Sequence, residues 1–589
     1  MRLRVAPKEP EASKLKKKKT PKEPKARKDP TPPKPKGPAA TKDVITDPDA
    51  MFKIGFLADV YSERPIGSEG ISKVVTRFPP EPNGFLHLGH TKAIMINFGF
   101  AEFHGGECIL RFDDTNPSGE EEKFFVAIEE IIDWLGFKPV RVTSSSDNFL
   151  HLYELAEDLI NRDGAYVCHC AQAEVVDQRG GKGSKPRYAC PHRDRPIPES
   201  LTEFRAMRAG KYQPQEAVLR MKQDLESSNP QMWDLAAYRV PEKCLHHKTG
   251  DEWKIYPTYD FTHCLCDSFE GITHSLCTTE FELSRVSYEW LCDKPGIYKP
   301  MQREFGRLNL SDTVLSKRKI ITLIENGHVH DWDDPRLYTL VALRRRGGPP
   351  GALLAFVNEL GVTKAPTTIG VKRLEQLLDF IEMVELPFSK DPEYGRSIHQ
   401  KVYIDRDDFR ETASKDFFRL ALSLSVGLWK VPYPITATGF EKDPETGLVM
   451  SVRAHYEKSV EGTTFKKPKT YIHWIADCPI TNRPVKATVR VFNSLFNSDS
   501  PDTHPEGFLS ANAMIETGFV EIRRRAPWPI QFINEYAFSC IALPGGAARP
   551  ETVRFQGMRI AYFCVDRDVK EGKLVLNRIV SLKEDPKKS

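Results

Sequence analysis

The chain has no run approaching the roughly 18 consecutive apolar residues of a membrane-spanning helix, and its mean hydropathy is −0.45. It has no apolar N-terminal segment of the secretory kind, which speaks against export and for a cytoplasmic protein. Twelve cysteines in 589 residues of an unexported chain read as reduced thiols or metal ligands, not as a disulfide framework. Aromatic residues are missing altogether from residues 1–50. The first 42 residues hold nine prolines and 15 Lys/Arg against 4 Asp/Glu, including Lys16-Lys17-Lys18-Lys19. Such a composition cannot build a core, so a disordered basic tail is predicted over residues 1–50. Two roles for it stay open: an electrostatic tether for polyanions, since each Lys near a phosphate releases a counterion, and a solvated linker. Disulfide scaffolds, membrane proteins and small single modules are excluded.

What is present is an ordinary globular balance of 40% hydrophobic and 28% charged residues, at a length that suggests about four domains. The net charge of +4 conceals the tail, because residues 43–589 carry 7 more acidic than basic side chains. Ser72–Phe78 reads as a buried strand leading into the turn-rich Pro79-Pro80-Glu81-Pro82-Asn83-Gly84, and Leu88–Phe103 as a helix. Glu107–Phe112 is a second apolar run, and Phe124–Leu135 has helical periodicity. Strand, helix, strand, helix predicts a parallel sheet with right-handed crossovers, hence an α/β fold. That sheet is expected over 72–147 and 253–320, interrupted by a polar, Gly/Pro-punctuated insertion at 148–252. Residues 321–386 read as helical. From 387 to 589 the chain turns to short β-rich runs, among them Leu448–Tyr456, Lys486–Phe492 and Leu574–Leu582, which suggest antiparallel barrels or a sandwich.

Four strings carry candidate chemistry. In Glu81-Pro82-Asn83-Gly84-Phe85-Leu86-His87-Leu88-Gly89-His90 a strand feeds a tight turn that opens on a helix N-terminus. Such an end offers unpaired N–H groups and a positive dipole to an anion. His87 and His90 share one face of a first helical turn, and Gly89 lets a flat base approach the backbone. In Leu110-Arg111-Phe112-Asp113-Asp114-Thr115-Asn116-Pro117 two acids follow a parallel strand, where open α/β sheets bind ligands. Asp113 is assigned to a substrate ammonium and Asp114 to helix capping. The run Ile255–Cys264 with Gly271–Thr278 offers aromatic and hydroxyl groups for a small polar pocket, although each residue taken singly reads as core. Finally, Arg307-Leu308 and Thr313-Val314-Leu315-Ser316-Lys317-Arg318-Lys319 place ammonium charge on a loop before a helix, suited to phosphate charge that grows during reaction. Apart from these, Cys168-x-Cys170 and, nineteen residues on, Cys190-x-His192 are zinc-type ligands. Reduced surface cysteines are the competing reading.

On these strings the chain resembles the class I aminoacyl-tRNA synthetases, with His87-Leu88-Gly89-His90 and Leu315-Ser316-Lys317 standing for the two family signatures. Arg77–His90, Arg111–Pro117, Trp253–Thr278, Arg307–Lys319, Trp332–Arg336, Leu343–Gly347 and Lys573–Pro586 resemble the eukaryotic glutaminyl branch, over roughly residues 72–589. The resemblance implies a Rossmann-like catalytic domain holding an acceptor-stem insertion, followed by a helical subdomain and anticodon-binding β-barrels. It implies that L-glutamine is joined to tRNA(Gln) through an adenylate, with ATP as substrate and Mg²⁺ accompanying it. His87, His90 and Lys317 would be catalytic. ATP would be lined by Glu81, Pro82, Asn83, His87, Leu88, Gly89, His90, Thr91, Lys92, Ala93, Thr278, Arg307, Leu308, Leu315, Ser316 and Lys317. Asp113 and Tyr259 would hold glutamine, with Arg77, His263, Cys277 and Gln302 as further pocket residues. A monomer is expected, with membership of a multi-synthetase complex a further expectation.

The glutamyl sister enzyme shares most of these strings and is the in-family rival. A nucleotidyltransferase with the same nucleotide fold and a non-catalytic tRNA-binding relative are rivals from outside that pair. Three departures from the family pattern stand out: a short link between Thr368 and Phe388, an unfamiliar stretch at 533–549, and no folded appendage before the catalytic part. In addition, Leu283 stands where bacterial members have an acid near the acceptor stem.

Overall fold

Two short helices precede the first strand. In the computed structural model the described residues are 47–374, apart from 69, 182–185, 244 and 372, and segments between 402 and 581: 402–414, 417–428, 431, 433–456, 468–476, 487–496, 501, 514–518, 550–557, 561–570 and 574–581, less 473 and 553. Helices α1 (Ala50–Lys53) and α2 (Phe56–Glu63) bury Met51, Phe52, Leu57 and Val60 against Ile96, Phe100, Leu276 and Phe305. Residues 47–50 therefore belong to the fold and not to the predicted tail. Residues 1–46, 375–387 and 533–549 lie outside the described residues.

The first sheet is parallel as expected. Strand β1 (Val75–Phe78) leads through the turn to α3 (Leu88–Phe103), then come β2 (Glu107–Phe112), α4 (Glu122–Trp134) and β3 (Val142–Ser144). β2 pairs with β1 on one side and β3 on the other. α3 is apolar almost all round because it is covered on two sides. Ile94 and Phe98 enter the core beneath the sheet, while Ile96 and Phe100 face α1 and α2. Gly99 leaves room for the Phe52 ring, which a Cβ would meet at 2.5 Å.

The insertion holds α5 (Phe149–Asn161), β4 (Ala165–Cys168), α6 (Gln172–Gln178), α7 (Ile197–Arg208), β5 (Val218–Met221) and β6 (Ala236–Arg239). Its antiparallel sheet, β4-β5-β6-β7, takes in β7 (Tyr256–Pro257), beyond the expected boundary at 252. The chain then forms α8 (Tyr259–Phe269), β8 (His274–Thr278), α9 (Arg285–Asp293) and β9 (Met301–Phe305). β8 pairs in parallel with β9 and lies along the edge of β1 opposite β2. Glu107 N–H donates to Val74 O and Thr273 N–H to Val75 O, and successive carbonyls of a strand point to opposite sides. The C-terminal ends of β1, β2 and β8 thus face one crevice.

Beyond β9 come β10 (Leu308–Ser311), α10 (Lys317–Glu325), α11 (Leu340–Arg345), α12 (Pro350–Leu360) and β11 (Thr367–Gly370). β11 corrects the helical reading of this stretch, because it pairs in parallel with β10 from Leu308–Thr367 to Ser311–Gly370. The C-terminal strands form a four-stranded sheet around Ser425–Leu428 and Ile435–Lys442 and a five-stranded one including Ala487–Phe492 and Leu574–Ser581. Among the described residues neither sheet closes into the expected barrel, and each contains one parallel pair within its antiparallel order. The five-stranded sheet docks on the part that holds α10 and α11. Arg345 meets Asp566 at 3.1 Å and Asp568 at 3.0 Å, and Leu495 and Phe496 share a core with Ile320, Leu323 and Trp332. No helix among the described residues is long and apolar enough to cross a membrane.

Candidate active site

His87 caps α3. Its Nδ1 accepts from Gly89 N–H at 3.1 Å, and His90 Nδ1 accepts from His87 N–H at 3.1 Å. Burial lowers the pKa of both rings, His90 to about 4, and the neighbouring Arg307 acts in the same direction. Both imidazoles are therefore neutral at physiological pH. With Nδ1 accepting, each carries its proton on Nε2, as a donor. Gly89 is required by close approach: a Cβ there would lie 2.8 Å from His87 Cε1 and 3.0 Å from Leu308 O. The turn is pinned from behind, with Leu88 N–H on Tyr338 O at 3.1 Å and Leu340 N–H on Leu86 O at 2.7 Å.

Lys317 opens α10 at the same turn. Its side chain lies across Gly84, where a Cβ would sit 3.3 Å from Lys317 Cδ, and its Nζ stands 5.2 Å from the Phe124 ring centroid. Partial burial lowers its pKa, opposed by Glu81 and Glu121. Leu315 and Ser316 precede it on the loop, and Ser316 is the N-cap of α10. Arg307 pairs with Glu280, whose other oxygen accepts from Thr278 Oγ1 at 3.2 Å.

Beside this turn a cavity of about 510 Å³ is lined by Arg77, Glu81, Ala93, Asp113, Tyr259, Cys277 and Thr278 among others. Asp113 is 8% exposed, and Ser145 Oγ approaches it at 3.3 Å. Burial raises its pKa to about 7, against the pull of Arg111 and with help from Asp114 and Glu81. A buried carboxylate with so few donors is suited to take an ammonium. Arg77 is wholly buried and donates from Nε to Asp267 Oδ1 at 2.9 Å, from Nη1 to Leu276 O at 3.1 Å and from Nη2 to Ser275 Oγ at 2.9 Å. It also contacts His263 Nε2. Burial lowers the His263 pKa to about 3, so this ring is neutral, and it lies against Tyr259 with centroids 4.9 Å apart.

Three expected ATP or glutamine residues are buried, and two of them, Lys92 and Gln302, are bonded within the protein. Lys92 is buried, its ammonium 2.7 Å from Gly306 O and near the Phe305 ring, and burial lowers its pKa to about 8. Thr91 is wholly buried. Gln302 donates to Phe281 O at 3.1 Å and to Glu304 at 2.9 Å. Pro82 and Leu308 are buried as backbone supports, and Asn83 forms the turn through its N–H to Glu81 O.

Two supporting networks are not legible in the sequence. Asp267 collects Arg77, Arg111 at 2.6 Å, Ser275 Oγ at 2.7 Å and Tyr288 OH at 2.9 Å; these guanidiniums outweigh burial and hold its carboxyl below the usual range. The one hint in the sequence is an acid amid apolar positions of α8. Asp114, wholly buried, accepts from Ser146 N–H and Oγ at 2.9 and 2.6 Å. His247 Nε2 meets Asp114 Oδ2 at 2.9 Å, and His246 Nε2 meets Asp114 O at 2.9 Å. With Arg239 on Thr115 O at 3.4 Å, the insertion thus grips the loop that follows Asp113.

The family described as tRNA synthetases class I (E and Q), catalytic domain, matches residues 73–379. Glutamine–tRNA ligase protein virJ of Hypocrea virens is 52% identical over 92% of this chain and 90% of its own. The chain belongs to this family of synthetases, among the glutamine–tRNA ligases. The probable glutamine–tRNA ligase of Schizosaccharomyces pombe is 51% identical over 92% of this chain and 72% of its own. That of Saccharomyces cerevisiae is 46% identical over 91% and 73%. In this synthetase the matched stretch takes in the sheet, the insertion, and the helices through α12.

Proposed function

We propose that the synthetase joins L-glutamine to tRNA(Gln) with ATP through a glutaminyl-adenylate. The observation that carries this reading is the neighbouring placement of the two parts: Asp113 and Tyr259 line a cavity with Glu81 and Ala93, the residues on either side of the stretch that holds the His87 cap and Gly84, which Lys317 crosses, in a chain whose relatives are glutamine–tRNA ligases. Asp113 takes the amino-acid ammonium and turns the carboxylate toward the α3 N-terminus. That carboxylate is ionised at neutral pH, so in-line attack on the α-phosphorus needs no general base. Rate then comes from positioning and charge stabilisation. The neutral Nε2–H groups of His87 and His90 donate to phosphate oxygens without adding charge to the ground state, and Lys317 meets the negative charge as pyrophosphate departs. Mg²⁺ would accompany ATP, bound mainly through phosphates and water. Aminoacylation of total tRNA with labelled glutamine or glutamate tests the reading; glutamyl-tRNA as main product would overturn it.

Two results are expected here. Protonation of Asp113 removes the charge the ammonium needs, so kcat/KM for glutamine should rise with pH through about 7 and then level off. In Asp113→Asn that limb should vanish with the activity low throughout; a limb that persists in the variant would clear Asp113 of the role. Removing residues 1–42 should leave saturated turnover unchanged and raise the tRNA KM chiefly at low salt. An unaltered slope of log KM against log salt would make the tail a linker.

A further inference from the structure

Four ligand atoms converge in the insertion, apart from the crevice residues. Cys168 ends β4 and Cys170 follows two residues on, while Cys190 and His192 lie on a stretch, 186–196, that is neither helix nor strand. The Cys168 and Cys190 sulfurs are 3.4 Å apart, and those of Cys170 and Cys190 3.5 Å. His192 Nδ1 lies 3.6 Å from Cys170 Sγ and 3.4 Å from Cys190 Sγ. All four atoms fall within 4.8 Å of one another. A tetrahedral zinc with Zn–S of about 2.3 Å and Zn–N of about 2.0 Å sets ligand atoms roughly 3.5–3.8 Å apart, close to the spacing here.

The surroundings supply a second, independent observation. Each sulfur receives an N–H donor: Cys170 N–H points at Cys168 Sγ at 3.4 Å, His192 N–H at Cys190 Sγ at 3.4 Å, and Gln178 Nε2 at Cys170 Sγ at 3.3 Å. A thiol is a weak acceptor, whereas a metal-bound thiolate is stabilised by such donors. Cys168 and Cys190 are buried at 3% and 5% exposure, which does not fit loose surface thiols. A disulfide between any two of the cysteines would leave the third sulfur and the imidazole without a reason to converge.

We propose that Cys168, Cys170, Cys190 and His192 bind one zinc ion in a closed, structural Cys₃His site. Three thiolates and a neutral imidazole protonated on Nε2 fill the tetrahedron, leaving no open position for chemistry. The borderline-soft donor set favours Zn²⁺ over the hard cation that accompanies ATP. The ion ties the end of β4 to the segment 186–196 that leads into α7. The other close grouping of ligand-type residues among the described residues, Asp114 with His246 and His247, has its Asp114 and imidazole nitrogen contacts with each other and the backbone and needs no ion.

Full-length protein purified without chelator should hold one zinc per chain by elemental mass spectrometry. A mercurial reagent should release it as three thiols are modified, read with a chromophoric zinc chelator. Replacement by Co²⁺ should give thiolate-to-metal charge transfer and tetrahedral ligand-field bands. Cys190→Ser and His192→Ala should each lose most of the zinc; since a folding defect in either variant would give the same loss, the wild-type metal content and cobalt spectrum decide. Limited proteolysis should cut within 186–196 only after zinc is stripped. Zinc well below one per chain in protein supplied with the ion, a disulfide among the three cysteines, or an octahedral cobalt spectrum would overturn the site. Equal protease resistance with and without metal would overturn its role as a tie. None of these readouts depends on which amino acid is ligated, so a failure here is separable from a failure of the proposed function.

Discussion

Replacing Lys317 by alanine is expected to slow pyrophosphate exchange by about 10²–10³-fold, the effect of removing one donor aimed at developing charge. ATP binding should change only by about threefold or less. The effect follows from where the side chain lies. It crosses Gly84, in the turn that ends at the His87 cap, and partial burial already lowers its pKa. An ammonium that is incompletely solvated gains more when negative charge arrives beside it. Lys317→Arg should recover little, because the planar guanidinium needs more room over Gly84 than the alkyl chain now uses. Equal losses in activation rate and ATP affinity would show uniform binding and remove Lys317 from the chemical step.

The second large effect is expected from Asp267→Asn. This carboxylate is wholly buried between two buried guanidiniums, 2.9 Å from Arg77 and 2.6 Å from Arg111. An amide of the same shape would leave Arg77 without a counter-charge, and Arg111 with Glu270 alone at 2.8 Å. Breaking one partner of a buried pair typically costs about 3–5 kcal/mol, so the melting temperature should fall by on the order of 10 °C. Glutamine KM should rise as well, since Arg77 lines the cavity. The acid limb provides the sign: a depressed carboxylate pKa contributes stability above its unfolded pKa, lost only as pH falls through the folded value. A variant that melts like the parent would show that Asp267 is not the keystone of this network.

Much of the site is legible in the sequence because its parts are local. A turn, a capping histidine and an apolar helix are contiguous, so the expected bounds of α3, Leu88 and Phe103, agree with the structure at both ends. Lys92 shows the limit of contiguity. Two residues past His90 on a helix is most of the way to the opposite face, and its ammonium turns inward to Gly306. β11 escapes a reading from sequence because Thr367-Thr368-Ile369-Gly370 has no pattern of its own; its strand geometry comes from β10. The pairing of Asp267 escapes the sequence for a similar reason, with its partner Arg77 standing 190 residues away. A buried ion pair has no periodicity to read. Most C-terminal strands coincide with β-branched runs, whereas their parallel pairings depend on partners distant in the chain.

The seating of the five-stranded sheet has a consequence for anyone dividing this molecule. Leu495 and Phe496 share a core with Ile320 and Leu323 of α10 and with Val314 of the loop before it, and Arg345 is clasped by Asp566. Cutting the chain back to residue 374 would uncover oily side chains directly under the signature loop and strand Arg345 near Asp333 alone. The C-terminal half is therefore not a detachable cartridge. Grafting it from a sister enzyme should fail unless the residues that floor the loop travel with it.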